Sequence, residues 1–309
     1  MRTMGRGPIR RLLWGAGGVL LGGGLWMGGG TTPWEGLRHP LLEAAPALEA
    51  RVPAGPDFSR PEGQDAYIAE LWKSARDPKG DKAHTIHFQV PPVAENGGLV
   101  PIALWLDHPM EPGHYIRSLA FFDEGSLIKL KAIARLSPEN GKASLSTSIR
   151  LAKSTRLKAI AECNLHGRWF GLSPEIRVGE SGCGAAIAQP TRNFAGNILG
   201  VKLLGGSKKG ALPQVQVTLK HPMESGMTLD KGGKAVRNFP PFFLKNLQVF
   251  YGGKLVSEFQ LGPGLSNNPG LSFPLKTGKD GSLKLKAVNN EGQAFEDSIS
   301  LSALGGEFF

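Results

Sequence analysis

From residue 84 onward, apolar and polar side chains alternate with a period of two, the signature of half-buried β-strands. The alternation predicts strands over residues 84–90, 99–107, 115–122, 127–135, 143–151, 156–163 and 168–177. A second set follows over 214–220, 242–251, 254–261, 271–276, 282–288 and 294–301. Turn clusters separate them: Pro91-Pro92, Asn96-Gly97-Gly98, Asn140-Gly141, Tyr251-Gly252-Gly253-Lys254, Asn267-Asn268-Pro269-Gly270 and Asp280-Gly281. Before the strands, Tyr67, Ile68, Leu71 and Trp72 recur at helical spacing within 64–76, one short amphipathic helix. The stretch 178–213 interrupts the alternation with glycines, Pro190 and Pro213 and marks a junction. The pattern therefore predicts an all-β protein of two immunoglobulin-like antiparallel β-sandwiches, with no room for the long helices of Rossmann, TIM-barrel or hydrolase folds.

An internal repeat supports two related halves. His108-Pro109-Met110-Glu111-Pro112-Gly113 recurs 113 residues later as His221-Pro222-Met223-Glu224-Ser225-Gly226, each copy between two strands. Two sandwiches packed as a pseudo-dimer within one chain follow, and fusion keeps the partners at high effective concentration. The predicted organisation is an export signal over 1–30, a tether and short helix over 31–83, a first sandwich over 84–190, a linker over 191–213 and a second sandwich over 214–309.

The amino terminus reads as an address. Residues 1–30 hold Arg2, Arg6, Arg10 and Arg11, no acidic residue, and an apolar, glycine-heavy run from Leu12 to Met27. That is the layout of a secretory signal, and the Arg10-Arg11 pair ahead of Leu12-Leu13-Trp14 points to the twin-arginine route into the periplasm. With no clear A-x-A cleavage site, an uncleaved anchor stays open. The leader also changes the charge: 36 Lys+Arg against 26 Asp+Glu give +10, but only +6 once its four arginines are removed. The remaining basic residues are scattered without interleaved aromatics, so nucleic acid is not an expected partner.

Candidate chemistry is sparse. No G-x-S-x-G, P-loop, H-E-x-x-H or carboxylate pair occurs, so no catalytic residues are nominated and the chain is not expected to be an enzyme. The repeated His-Pro-Met turns could suggest copper, but no third and fourth ligands converge in sequence, and a turn inherited twice is preferred. His84 and His87, three apart on a predicted strand, fall on opposite faces. Cys163 and His166 form a lone C-x-x-H, weak without a second pair. No metal site is expected. Of the two cysteines, Cys163 ends an apolar strand and reads as an inert structural thiol. Cys183 sits among small residues in Val178-Gly179-Glu180-Ser181-Gly182-Cys183-Gly184-Ala185-Ala186, where nothing would bury it. An accessible functional thiol, an incidental cysteine in a bland loop and a Cys163–Cys183 disulfide are all open on residues alone.

Ala94-Glu95-Asn96-Gly97, Val100-Pro101, Ser148-Ile149-Arg150-Leu151-Ala152-Lys153 and the Gly-Cys-Gly at 182–184 resemble SoxY, the sulfur-carrying subunit of the bacterial sulfur-oxidation (Sox) system. His221-Pro222-Met223-Glu224-Ser225-Gly226, Val249-Phe250-Tyr251-Gly252-Gly253, Asn268-Pro269 and Phe273 resemble its partner SoxZ. The exported part is thus similar to a SoxYZ fusion. The resemblance implies a non-enzymatic carrier without cofactor, whose Cys183 holds a covalent sulfur adduct on a flexible arm of Gly179, Gly182 and Gly184. It further implies Sox-type enzymes as periplasmic partners and thiosulfate oxidation as the setting.

Two features depart from the SoxY pattern. The arm reads Glu180-Ser181-Gly182-Cys183-Gly184-Ala185 in place of Gly-Gly-Cys-Gly-Gly, and it is internal. A thirteen-residue loop from Val178 to Pro190, tied at both ends, projects at most ~20 Å. SoxYZ-like carriers associated with quinoprotein dehydrogenases also place the cysteine internally, which leaves other cargo, and a quinoprotein dehydrogenase as partner, as the alternative. A structural binding module with an incidental Cys183 is the third reading.

Overall fold

The computed structural model describes residues 55–181, 192, 197–204, 212–277 and 281–300. In chain order the elements are helix α1 (Pro61–Lys73), β1 (Ala75–Arg76), a 3-10 turn (Lys82–His84), β2 (His87–Gln89), β3 (Val93–Asn96), β4 (Val100–Leu106), β5 (Ile116–Phe122), β6 (Leu130–Leu136), a second 3-10 turn (Pro138–Asn140), β7 (Ala143–Ile149), β8 (Thr155–Cys163) and β9 (Gly167–Glu180). The second half holds β10 (Leu199–Leu204), β11 (Gln214–Leu219), β12 (Met227–Leu229), β13 (Ala235–Arg237), β14 (Leu244–Tyr251), β15 (Lys254–Leu261), β16 (Gly270–Pro274), β17 (Ser282–Asn289) and β18 (Ala294–Ser300). Among the described residues no helix is long and apolar enough to cross a membrane.

Two large sheets make up the molecule. One runs β1-β9-β8-β5-β6-β15-β14-β17-β18, with β3 alongside β9; the other runs β10-β11-β16-β7-β4-β2. The central pairings are antiparallel, β6 with β15 and β7 with β16, so both sheets pass from the first half into the second without a break. If β4 through β9 are matched in order to β11 and β14 through β18, both strand orders read the same in either direction. That is the mark of an isologous, two-fold interface made within one chain. The expected pseudo-dimer of sandwiches is present, joined edge to edge in both layers.

The burial pattern explains the layers. β4 and β7 bury every second residue (Val100, Ile102, Leu104, Leu106; Ala143, Leu145, Thr147, Ile149), as a sheet with one wet face requires. All of β6 and most of β5 and β8 are buried on both faces. Helix α1 supplies the second cover. Leu71 is buried, and Trp72 packs at 6.0 Å from Phe122 and 4.8 Å from Phe170. Gln64, fully buried, donates to the Phe58 carbonyl (2.8 Å) and accepts from the Leu130 amide (2.9 Å), stitching the helix to β6.

Charged pairs cross the seam between the halves. Arg135 of β6 and Glu258 of β15 stand directly opposite one another and pair at 2.7 Å. Burial pushes the Glu258 carboxyl up, but hydrogen bonds from Asn246 and Arg135 outweigh it and leave the group below its usual range. Arg150 pairs with the buried Glu224 at 2.8 Å and donates to the Pro222 carbonyl, so the first half grips the second copy of the His-Pro-Met turn.

Several sequence expectations shift. The region 191–213 was expected as a linker, but it contains β10, which pairs along its whole length with β11. His84 ends a 3-10 turn instead of opening a strand, because Asp81 caps that turn by accepting from the Ala83 and His84 amides. Gly179, expected in the arm, lies in β9, where its neighbours Val178 and Glu180 pair in parallel with Ala94 and Asn96 of β3.

Candidate functional site

Cys183, Gly182 and Gly184 lie outside the described residues. The strand that leads to them does not. β9 ends at Glu180, whose carbonyl accepts from the Gly97 amide at 2.8 Å, so the chain is anchored three residues before Cys183. Cys163 is placed: it closes β8, is 1% exposed and carries a free thiol.

Around Cys163 the structure gathers residues that the sequence sets far apart. His84, His108, His114, Cys163 and His166 each present a ligand atom, and these five atoms all lie within 4.8 Å of one another. The four imidazoles form a closed circuit. Ring centroids are 4.9 Å apart for His84–His108, 4.5 Å for His108–His114, 4.9 Å for His114–His166 and 5.1 Å for His166–His84, and interplanar angles run from 63° to 88°. Cys163 Sγ is 3.6 Å from His166 Nδ1, which is 3.3 Å from His84 Nε2. His84, His108 and Cys163 are buried, His114 is half-buried and His166 is exposed, so the cluster opens to solvent on one side.

Each residue of the cluster has a local reason for its place. His84 is fixed by Asp81, whose carboxylate takes its Nδ1 at 2.7 Å, and by Trp169, stacked on the ring at 4.4 Å. The hydrogen bond from His84 holds the Asp81 carboxyl below its ordinary range. His108 follows β4 and turns its Nδ1 to the Pro109 carbonyl at 2.6 Å. Burial lowers the His108 pKa, which keeps that ring neutral. His114 closes the turn that begins at Glu111, through paired backbone bonds of 3.1 and 3.0 Å. Asn164 ties this turn to the β8–β9 hairpin: its side chain accepts from the Tyr115 amide (2.8 Å) and donates to the Gly113 carbonyl (2.7 Å). Cys163 and His166 flank that hairpin, and Arg76 bonds the His166 carbonyl while lying 4.2 Å over Trp169.

No metal site was expected, because the sequence offered only the repeated His-Pro-Met turns without converging further ligands, His84 and His87 on opposite faces of one segment, and a lone C-x-x-H. His87 takes no part; it stacks on Trp105 and sits 3.6 Å from Asp107. The five residues come from three separate segments, the 3-10 turn, the β4–β5 turn and the β8–β9 hairpin, and only the folded topology brings these together. One sequence signal does distinguish them. In the second copy of the repeat, six residues after His221, Met227 stands where the first copy has His114, so the second histidine is not demanded by the turn itself. His221 is fully buried in the second half, 4.5 Å from Phe242, and Met110 and Met223 are buried at the two corners as an inherited turn requires.

The family model described as "Sulfur oxidation protein SoxY" matches residues 69–183, and that described as "Sulphur oxidation protein SoxZ" matches residues 201–300. The chain is a SoxYZ fusion. The SoxY domain takes in the end of α1 and runs to Cys183; the SoxZ domain begins within β10. SoxY and SoxZ domains together indicate a sulfur-carrier family of the Sox pathway, whose members are non-catalytic. No curated protein matches the chain. Among solved structures, the sulfur carrier protein SoxY from Chlorobium limicola f thiosulfatophilum is 21% identical, covers 37% of this chain and 93% of its own, and has a TM-score of 0.30. A superoxide reductase (neelaredoxin) from Ignicoccus hospitalis is 28% identical, with 33% and 87% covered and a TM-score of 0.29. A putative superoxide reductase from Thermotoga maritima is 22% identical, with 36% and 98% covered and a TM-score of 0.31.

Proposed function

We propose that this SoxYZ fusion carries sulfur intermediates, thiosulfate-derived ones first, as a covalent adduct on Cys183. One observation carries the assignment: of the two cysteines, Cys163 is buried at the end of β8 among four imidazoles, which leaves Cys183. That residue is also the last one of the SoxY match. A carrier thiol has to enter a partner's cleft, and a thiol 1% exposed cannot.

In sequence, Cys183 has no Lys, Arg or His within five residues and has Glu180 nearby. No cationic neighbour in sequence stabilises the thiolate, the form that reacts. Activation falls to the charging enzyme, whose electron acceptor must take up the two electrons, with loss of the thiol proton, as the S–S bond between Cys183 and thiosulfate forms; this spares the carrier from indiscriminate oxidation. The SoxZ domain holds the SoxY sandwich by its edges, through β6–β15 and β7–β16. The anchored end of β9 then presents the arm, Gly182 and Gly184 on either side of Cys183. Sox-type enzymes of the periplasm are the partners, reached by export through Arg10-Arg11.

Intact-mass spectrometry tests the reading. After incubation with thiosulfate and an extract of thiosulfate-oxidising cells, the full chain gains a sulfur-containing increment that a reductant removes, and Cys183→Ser gains none. An equal increment on Cys183→Ser contradicts the assignment.

A further inference from the structure

We infer that the SoxY domain holds, apart from its carrier cysteine, a mononuclear site for a divalent first-row transition-metal ion, built from His84, His108, His114, Cys163 and His166. Imidazole and thiolate are the donors such ions take. Metal–nitrogen bonds of about 2.0–2.1 Å and metal–sulfur bonds of about 2.3 Å place opposite donors on one ion roughly 4.0–4.4 Å apart, and adjacent ones roughly 2.8–3.6 Å apart. The five atoms here lie within 4.8 Å, and two of the pairs measure 3.3 and 3.6 Å. A contraction of a few tenths of an ångström closes the set on a common centre.

The ring orientations point the same way. His84 and His108 each commit Nδ1 outward, to the Asp81 carboxylate and the Pro109 carbonyl, and so leave Nε2 for the centre. That is how protein frameworks usually fix metal-binding imidazoles. The Nε2 atoms of His108 and His114 are buried without a hydrogen-bond partner, and His108 as a residue is 5% exposed. A buried polar atom left unsatisfied costs about 1–3 kcal/mol. Two such atoms facing a thiol and two further imidazoles make a poor packing motif and a good ligand set.

Five nitrogen and sulfur donors exceed the four of a structural zinc site, which favours an ion that accepts higher coordination. The exposed ring of His166 marks the side from which solvent or a small ligand reaches it. The site is also distinct from the carrier arm. Ligands cluster where β9 begins at Gly167, while Cys183 follows its far end at Glu180, and a strand of that length spans about 40 Å.

The test uses the full chain in a Cys183→Ser background, so that Cys163 is the one thiol present. Protein stripped by a chelator is reloaded anaerobically with Fe²⁺, Co²⁺ or Zn²⁺, desalted and analysed for metal. The expected result is one equivalent per chain, with a thiolate-to-metal charge-transfer band in the Co²⁺ form. Cys163→Ser abolishes the band. Asp81→Asn, which keeps the cap of the 3-10 turn but loses the charge behind His84, weakens affinity about 10–100-fold. His166→Ala, at the exposed corner, weakens it without disturbing the core, and His87→Ala leaves it unchanged. Circular dichroism verifies that each variant is folded. Metal well below one equivalent in the folded parent, or equal binding by His166→Ala and Asp81→Asn, overturns the proposal.

Discussion

Replacing Lys131 by Met is expected to destabilise the protein by about 3–5 kcal/mol. Lys131, in β6, and Asp123, just after β5, face each other across their hairpin at 2.5 Å, and both side chains are fully buried. Lys131 also donates to the Ile128 carbonyl at 2.9 Å. Asp123 accepts from the Gly125 and Ser126 amides at 2.6 and 2.8 Å and so shapes the loop between the strands. Met preserves the aliphatic stem but removes the charge and the donor to the Ile128 carbonyl, leaving a carboxylate in the interior without its counter-ion. Pairing the change with Asp123→Asn keeps an acceptor for the two amides and removes the orphaned charge, so the double variant recovers most of the loss. Denaturant titration reads both. A Lys131→Met cost below about 1 kcal/mol, or a double variant no better than the single, contradicts this account of the pair.

The second large effect is a pH dependence carried by His221. Its ring is fully buried, accepts from the Met223 amide at 3.3 Å through Nδ1, and is pushed down by burial to a pKa of about 4 from an ordinary 6.5. Between these values the unfolded chain binds the proton and the folded chain does not. Stability is therefore fully present above about pH 6.5 and is lost as the pH falls towards 4. A shift of that size corresponds to roughly 3 kcal/mol. His108 is depressed by burial as well and acts in the same sense. The depressed carboxyls Glu258 and Glu296, with an ordinary value of 4.5, act in a lower range, from about 4.5 downward. In His221→Asn, which can still accept from the Met223 amide, unfolding free energy measured from pH 7 to 4.5 should be visibly flatter than in the parent. Parallel curves would contradict the buried-neutral assignment.

The strands were legible because their faces differ. Where one face is wet, as in β4, β7, β11 and β17, alternation fixes the element to within a residue or two. β15 (Lys254–Leu261) runs between two turn signals and matches the expected 254–261. β10 escaped because it lies in a glycine-rich junction and has a weak pattern of its own; its partner β11 defines it. β3 escaped because a four-residue parallel strand leaves no periodic trace, and with it went the true start of the arm, since Gly179 belongs to the strand beside β3. The pseudo-dimer was visible through the repeated turn, but edge-to-edge continuity through β6–β15 and β7–β16 was not, because register across a seam is a property of the two halves together. The histidine–cysteine cluster was the least legible. Its members run from His84 to His166, and the local hints were Cys163-x-x-His166 and the first His-Pro-Met turn, with His108 and His114 six residues apart.

The carrier assignment predicts where sulfur is found on the loaded protein. Peptide-resolved mass spectrometry of the full chain, after incubation with thiosulfate and an extract of thiosulfate-oxidising cells, tests it most directly. The account predicts a reductant-labile increment on the peptide holding Cys183 and an unmodified Cys163. An increment on Cys163, or none on Cys183 while its thiol is free to react, contradicts it.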